Sequence, residues 1–312
     1  MQGSDGNFYG TTSAGGLGYD GTPGTGNGMV FKITSGGTLT TLFSFNFSNG
    51  SSPNDLVKGV DGNFYGTTAN GGLYGGTVFQ LTTNGTLTTL VFFLSSFPGA
   101  GLAQGSDGNF YGTTMGDSRG GHGTVFRVTT NGELTTLLSF SGTNGDFSLA
   151  TLRLGDDGSF YGTALQGGTG YNNTPGSGNG TVFKITTNGT LTTLHFFNGT
   201  NGSRPLASLV QGGDGSFYGT TVGGGAYDGG TIFRLVQPTR PVITAIARSN
   251  GIVTLTWTSF ANGIYRVEHK PSLTATGWEA LTPDVTATNS TASFTDNPLS
   301  DIERYYRVAL LP

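Results

Sequence analysis

Cysteine is absent from the 312 residues, which excludes disulfides, thiol nucleophiles and thiolate metal sites. Charge is scarce at 10%, the net charge is −4, and no cluster of Lys and Arg exists. A surface that releases counterions from phosphates is therefore excluded, and nucleic acid is not an expected partner. No apolar run approaches the roughly 18 residues of a transmembrane helix, so direct membrane insertion is not expected. Neither GxxxxGK[ST], nor G-x-G-x-x-G between strand and helix, nor HExxH-like spacing is present. No G-x-S-x-G elbow with a plausible base appears. No cofactor and no metal site is expected.

What the chain has in excess is glycine, at 57 residues, with Thr, Asn, Phe and Val around it. No Gly-X-Y period runs through it, so collagen is excluded, and aromatics at 12% recur at ordered spacings. This is the vocabulary of short strands and tight turns, and the fold class is read as all-β.

The ordering is a repeat. DGNFYGTT stands at 5–12 and returns at 61–68 and 107–114, then as DGSFYGTA at 157–164 and DGSFYGTT at 214–221. The steps between the leading aspartates are 56, 46, 50 and 57 residues, the period of a propeller blade. Each unit reads as four strands. An apolar lead-in such as PLASLVQ (205–211) comes first and NFYGTT second. TVFKIT (181–186) and its cognates at 29–34, 77–82, 124–129 and 231–236 are third. TLTTLHFF (190–197) and its cognates from Thr38, Thr86 and Glu133 are fourth. Asp-Gly separates strands one and two. Asn84-Gly85, Asn131-Gly132, Asn188-Gly189 and Gly36-Gly37 separate strands three and four, supplying the positive φ of tight hairpins.

Neighbours on a strand point to opposite faces, so Phe8 and Tyr9, like Phe64 and Tyr65, make both faces of each sheet apolar. Radially packed blades cover both. The Gly after each Phe-Tyr pair is read as permitting close approach of a neighbouring backbone. The count is uneven: five second and third strands, but four first and four fourth strands, with Met1-Gln2 a stub. The expectation for 1–236 is a propeller-like domain of about five blades with imperfect closure, or part of a larger ring. The N-terminus begins inside a repeat, since MQGSDGNFYG matches AQGSDGNFYG at 103–112, and a portion of a longer protein is expected.

Glycine falls after Pro238 and both tryptophans follow it. Beyond a linker at 237–241, residues 242–312 alternate as short strands, two of them around Asn250-Gly251, with Trp257 at an expected core position. They resemble a fibronectin type III-like module, an antiparallel β-sandwich. The grammar of residues 1–236, with DGNFYGTT, GTVFKIT and NGTLTTL in order, resembles the GloVer tandem-repeat proteins of bacteria. The resemblance implies an exported, surface-associated protein without an established catalytic activity, with a localisation that is extracellular or at the cell surface.

In a four-stranded meander the tight turns lie on one side of the sheet. The loops between strands two and three lie on the other, with the blade-to-blade connections. The second set varies in length, so a binding site is expected there. These loops carry Tyr19, Tyr74, Tyr171 and Tyr227, and the third copy offers Arg119 and His122. Aromatic rings among Asn, Asp and Thr suit a sugar surface. The competing reading has each Tyr pin its own loop. The five repeat aspartates, Asp5, Asp61, Asp107, Asp157 and Asp214, are read as turn caps, not as a metal array.

Three functional readings follow. The first is a non-catalytic binding or scaffold protein, a monomer meeting a polysaccharide or a cell-surface protein. The second is a carbohydrate-active enzyme using acids among Asp20, Asp117, Asp146 and Asp228. The third is a purely structural surface-layer component.

Overall fold

The structure is a computed structural model that describes residues 1–116, 121–213, 215–236, 241–259, 263–298 and 303–311. Among them there are strands and turns and no helix. The chain divides into two compact units, Met1–Leu235 and Val236–Pro312. Residues 237–240 of the expected linker lie outside the described residues.

Five small antiparallel sheets follow one another in the first unit. The first holds Phe8–Thr12, Met29–Ile33 and Leu39–Ser44, with Gln2 bridging to Phe8. The second holds Ser51–Lys58, Phe64–Asn70, Thr77–Leu81 and Leu87–Phe92. In the third, Phe97–Pro98 and Ala103–Gln104 both pair with Phe110–Met115, followed by Thr124–Val128 and Leu134–Ser139. The fourth runs Arg153–Leu154, Phe160–Ala164, Thr181–Ile185 and Leu191–Phe196. The fifth has Val210–Gln211, Phe217–Thr221 and Thr231–Leu235 and, among the described residues, no fourth strand. Four repeats carry the same bulge, between Val30/Phe31, Val78/Phe79, Val125/Phe126 and Val182/Phe183.

Each sheet buries its Tyr face on the Phe face of the next. The ring pairs are Tyr9–Phe64, Tyr65–Phe110, Tyr111–Phe160 and Tyr161–Phe217, with centroids 4.5, 4.0, 4.3 and 4.2 Å apart. A second pair joins the Phe after each fourth strand to the third strand of the next sheet: Phe45–Phe79, Phe93–Phe126, Phe140–Phe183 and Phe197–Phe233. The cores are thus the junctions themselves, and offset or edge-on ring pairs of this kind add about 0.5–1.5 kcal/mol beyond area burial. The inner segments line a cavity of about 460 Å³ with Tyr9, Leu56, Leu102, Leu152 and Leu209, one from each repeat. The sheets do not close into a ring. Phe8 on the first sheet is 45% exposed and Ile232 on the fifth is 84% exposed, whereas their counterparts at every internal junction are buried.

Two details depart from the sequence reading. Over each Gly that follows Phe-Tyr lies an aromatic ring, not a backbone. Gly66 pairs with Phe79, and a Cβ on Gly66 would stand 2.5 Å from the Phe79 ring. Gly10, Gly112, Gly162 and Gly219 repeat this with Phe31, Phe126, Phe183 and Phe233. Although the second sheet keeps an eight-residue lead-in, Ser51–Lys58, the other lead-in strands are short, and of 205–211 only Val210–Gln211 pairs. The rest is held by side chains instead. Thr11, Thr67, Thr113 and Thr163 donate from Oγ1 to the carbonyls of Asn54, Ala100, Ser148 and Ala207, each in the next sheet's lead-in.

The second unit holds two three-stranded antiparallel sheets. Ile243–Ser249, Ile252–Thr258 and Thr291–Asp296 form one; Glu279–Thr286, Ile264–Lys270 and Tyr305–Leu310 form the other. Both contribute to a core around Trp257 and Tyr265, the former at its expected position.

Candidate functional site

The loops between second and third strands lie against the sheet-to-sheet connections, as the meander parity requires. Backbone hydrogen bonds stitch them. Gly72 donates to Phe47, Gly168 to Gly142 and Gly225 to Gly199, at 2.6, 2.8 and 2.9 Å. In return Ser52, Phe147 and Arg204 donate to Asn27, His122 and Asn179. These three donors all have positive φ, a conformation uncommon for non-glycine residues, and all three occupy one position of the connection. The loops are therefore fixed by main chain, whatever their side chains do.

On that frame the predicted tyrosines separate. Tyr74 is 81% exposed, Tyr227 97% and Tyr19 54%. Among the described residues their hydroxyls have no hydrogen-bond partner. Tyr171 is pinned: its ring lies over Gly142, and its hydroxyl stands 3.2 Å from His122 Nε2. The two rings meet edge-on, with centroids 5.5 Å apart. Tyr19 sits at the same place in the first repeat's insertion and has no such contact among the described residues. Arg119 and Asp117 lie outside the described residues.

Behind His122 stands Asp146, fully buried, with Oδ2 3.3 Å from His122 Nδ1 and accepting the Gly176 N–H at 3.0 Å. Its Oδ1 is buried without a hydrogen-bond partner. A carboxylate, an imidazole and a phenol are thus strung across the junction of the third and fourth sheets. Sequence reasoning named all three residues but did not join them. The available signal was position: Asp146 stands where the other connections have Ser51 and Ser203. The imidazole, set between them, places the phenol through the 3.2 Å contact and the edge-on ring pair. The remaining acids serve their own loops. Asp20 accepts from Thr22 and Thr25, and Asp228 accepts the Gly224 N–H at 2.6 Å. No converging carboxylate pair forms among the described residues.

The repeat aspartates are turn caps, as read, and they have a second task. Asp107 accepts from the Asn109 N–H and side-chain amide at 3.2 and 2.7 Å, and from the Tyr111 hydroxyl at 2.8 Å. Asp5, Asp61 and Asp157 hold Tyr9, Tyr65 and Tyr161 in the same way; Asp214 lies outside the described residues. Burial pushes the Asp61 and Asp107 carboxyls up, but hydrogen bonds from Asn and Tyr outweigh it and hold both below their ordinary value. Burial, then the Asp61 hydrogen bond, pushes Tyr65 up to about 12. Among the described residues no group of three or more His, Asp or Glu is placed to hold a metal.

The family model of the Gloeobacter/Verrucomicrobia repeat matches residues 1–174 and, overlapping, 95–256. No curated protein matches the sequence. Among solved structures, a gluconolactonase from Xanthomonas campestris is similar at 16% identity, covering 73% of this chain and 75% of that one, with a TM-score of 0.42. PorZ, a bacterial surface component of the type-IX secretion system of Porphyromonas gingivalis, is 12% identical, with 99% and 44% coverage and a TM-score of 0.46. An ulvan lyase of polysaccharide lyase family PL25 is 10% identical, with 86% and 71% coverage and a TM-score of 0.46.

Proposed function

The chain belongs to the Gloeobacter/Verrucomicrobia repeat family, and from that premise we propose an exported, non-catalytic binding protein that presents its loop face to a polysaccharide. On this reading the first unit is an open, propeller-like arc of five blades, and the second is a fibronectin type III-like spacer. The protein works at the cell surface or beyond it.

The observation that carries the reading is the exposure of Tyr74 and Tyr227 on loops that main-chain hydrogen bonds already fix. A tyrosine that pins a glycine-rich segment is packed against it, as half-buried Tyr171 is over Gly142. These two are not, and exposed aromatic rings suit stacking on sugar C–H surfaces. The test is a polysaccharide binding screen of the intact chain beside a variant with Tyr19, Tyr74 and Tyr227 replaced by alanine. Binding lost in a variant that melts like the parent supports the reading. Binding that survives the triple change, or no binding by the parent, overturns it.

A second reading rests on Asp146, His122 and Tyr171. An acid–imidazole–phenol chain on the same face is the material of proton transfer in a carbohydrate-active enzyme. It predicts release of new chain ends from a bound polysaccharide, abolished in His122→Ala and Tyr171→Phe. Turnover unchanged in both variants assigns the cluster to holding the loop.

A further inference from the structure

The fifth sheet ends where the other four continue. In each of those, the third strand pairs with a fourth of one pattern: LTTLFS, LTTLVF, LTTLLS or LTTLHF. The register is the same in all four, with Phe31, Phe79, Phe126 and Phe183 opposite Thr41, Thr89, Thr136 and Thr193. Thr231–Leu235 has the same third-strand sequence type and is an edge. Its Ile232 is 84% exposed, although Val30, Val78, Val125 and Val182 at that position are fully buried.

The neighbouring sheet is shaped for a strand there too. In the second, third and fourth sheets the turn glycine that opens the fourth strand seats on the sheet before it. Gly85 lies on the Leu42 carbonyl, Gly132 on Leu90 and Gly189 on Leu137, each so close that a Cβ would stand 2.6–2.7 Å from the oxygen. Leu194 is the next member of that series, and no described glycine occupies the corresponding place beside it. Edge and face repeat features that the chain fills four times, and the seat repeats one that it fills three times.

We propose that the edge strand Thr231–Leu235, with Leu194 beside it, accepts an extended segment of the form Gly-Thr-Leu-Thr-Thr-Leu-x-Phe-Phe from another protein of this repeat family. The segment adds antiparallel as the missing fourth strand. Main-chain hydrogen bonds supply the pairing, and alternate side chains supply selectivity. Its first Leu meets the fourth sheet, and its second Leu and last Phe cover Ile232, as Leu191, Leu194 and Phe197 do in the fourth repeat. The donor is a repeat of that family whose fourth strand is not already paired, which a second folded copy does not offer, because all four of its fourth strands are paired.

The probe is a synthetic peptide of residues 187–198, labelled and titrated with the intact chain, with sedimentation of the chain alone in parallel. The expected result is saturable 1:1 binding, weakened at least tenfold by Leu191→Asp with Leu194→Asp in the peptide. Ile232→Asp in the chain, an exposed position that tolerates charge, weakens it similarly. No binding up to the solubility of the peptide, or binding indifferent to these changes, overturns the proposal. Self-association of the chain alone, abolished by Ile232→Asp, makes a second copy the occupant and overturns the assignment to another protein.

Discussion

Six of the eight residues of DGNFYGTT have a separate physical task here, which is why the octamer repeats so closely. Asp closes the turn and takes the Tyr hydroxyl; Gly supplies positive φ; Phe and Tyr face opposite neighbours. The next Gly lies under a ring, and the first Thr reaches the following lead-in. Tyr111→Phe removes a hydrogen bond to a carboxylate and is expected to cost about 1–3 kcal/mol in denaturant melts. Phe110→Ala empties the middle of a junction and is expected to cost about 3–5 kcal/mol. A loss under about 1 kcal/mol contradicts burial on both faces. The Asp–Tyr pairs also set a pH window. The folded carboxyls of Asp61 and Asp107 lie below their unfolded value, so their contribution is present above about pH 4 and is lost as pH falls through the folded values. Tyr65 is raised to about 12, so its contribution is complete below about pH 10 and disappears between there and about pH 12. Replacing Tyr65, Tyr111 and Tyr161 by Phe is expected to flatten the alkaline limb of stability against pH. An unchanged limb assigns it to other groups.

At the scale of strands and turns, period and punctuation carried most of the information. Third and fourth strands fall within a residue or two of the sequence reading because the apolar alternation and the turn dipeptides both mark their ends. The turn type was less legible. At Asn84-Gly85 only the glycine takes positive φ, and the Gly85 N–H donates to Thr82 while the Thr82 N–H donates to Thr86. That is a type I turn closed by a glycine bulge, whereas Asn250 and Gly251 in the second unit are both positive, as a type I′ turn requires. Gly132→Ala places a Cβ in the left-handed region and against the Leu90 carbonyl, so a cost of at least about 1–2 kcal/mol is expected from chemical denaturation. The lead-ins read poorly because their partners are hydroxyls of another sheet, a contact with no local signature. The candidate site was legible as a face and not as a constellation. Chain parity assigns the loops to one side, but which tyrosine is pinned depends on contacts made across the fold. Tyr171 meets His122 and Gly142, and Tyr19, in almost the same local sequence, is exposed.

At the scale of the molecule, the consequence of two uncovered end faces is that the junctions are not equivalent. In a closed ring every junction is flanked by two others, and weakening any one has a similar effect. In an open succession of sheets, stability approximates a sum of sheet and nearest-neighbour terms, and the ends are held from one side only. The fifth sheet is held through Tyr161–Phe217 and Phe197–Phe233, and it lacks the fourth strand that would add to its own cohesion. The third is held on both sides, through Tyr65–Phe110 and Tyr111–Phe160. Phe217→Ala is therefore expected to open the end alone. Amide exchange followed by mass spectrometry should lose protection across residues 206–235 and keep it in the second and third sheets. Phe110→Ala interrupts the middle and should lower protection on both sides of it. Equal, unit-wide loss in both variants would instead mean that the ends meet in solution and that the five sheets unfold as one ring.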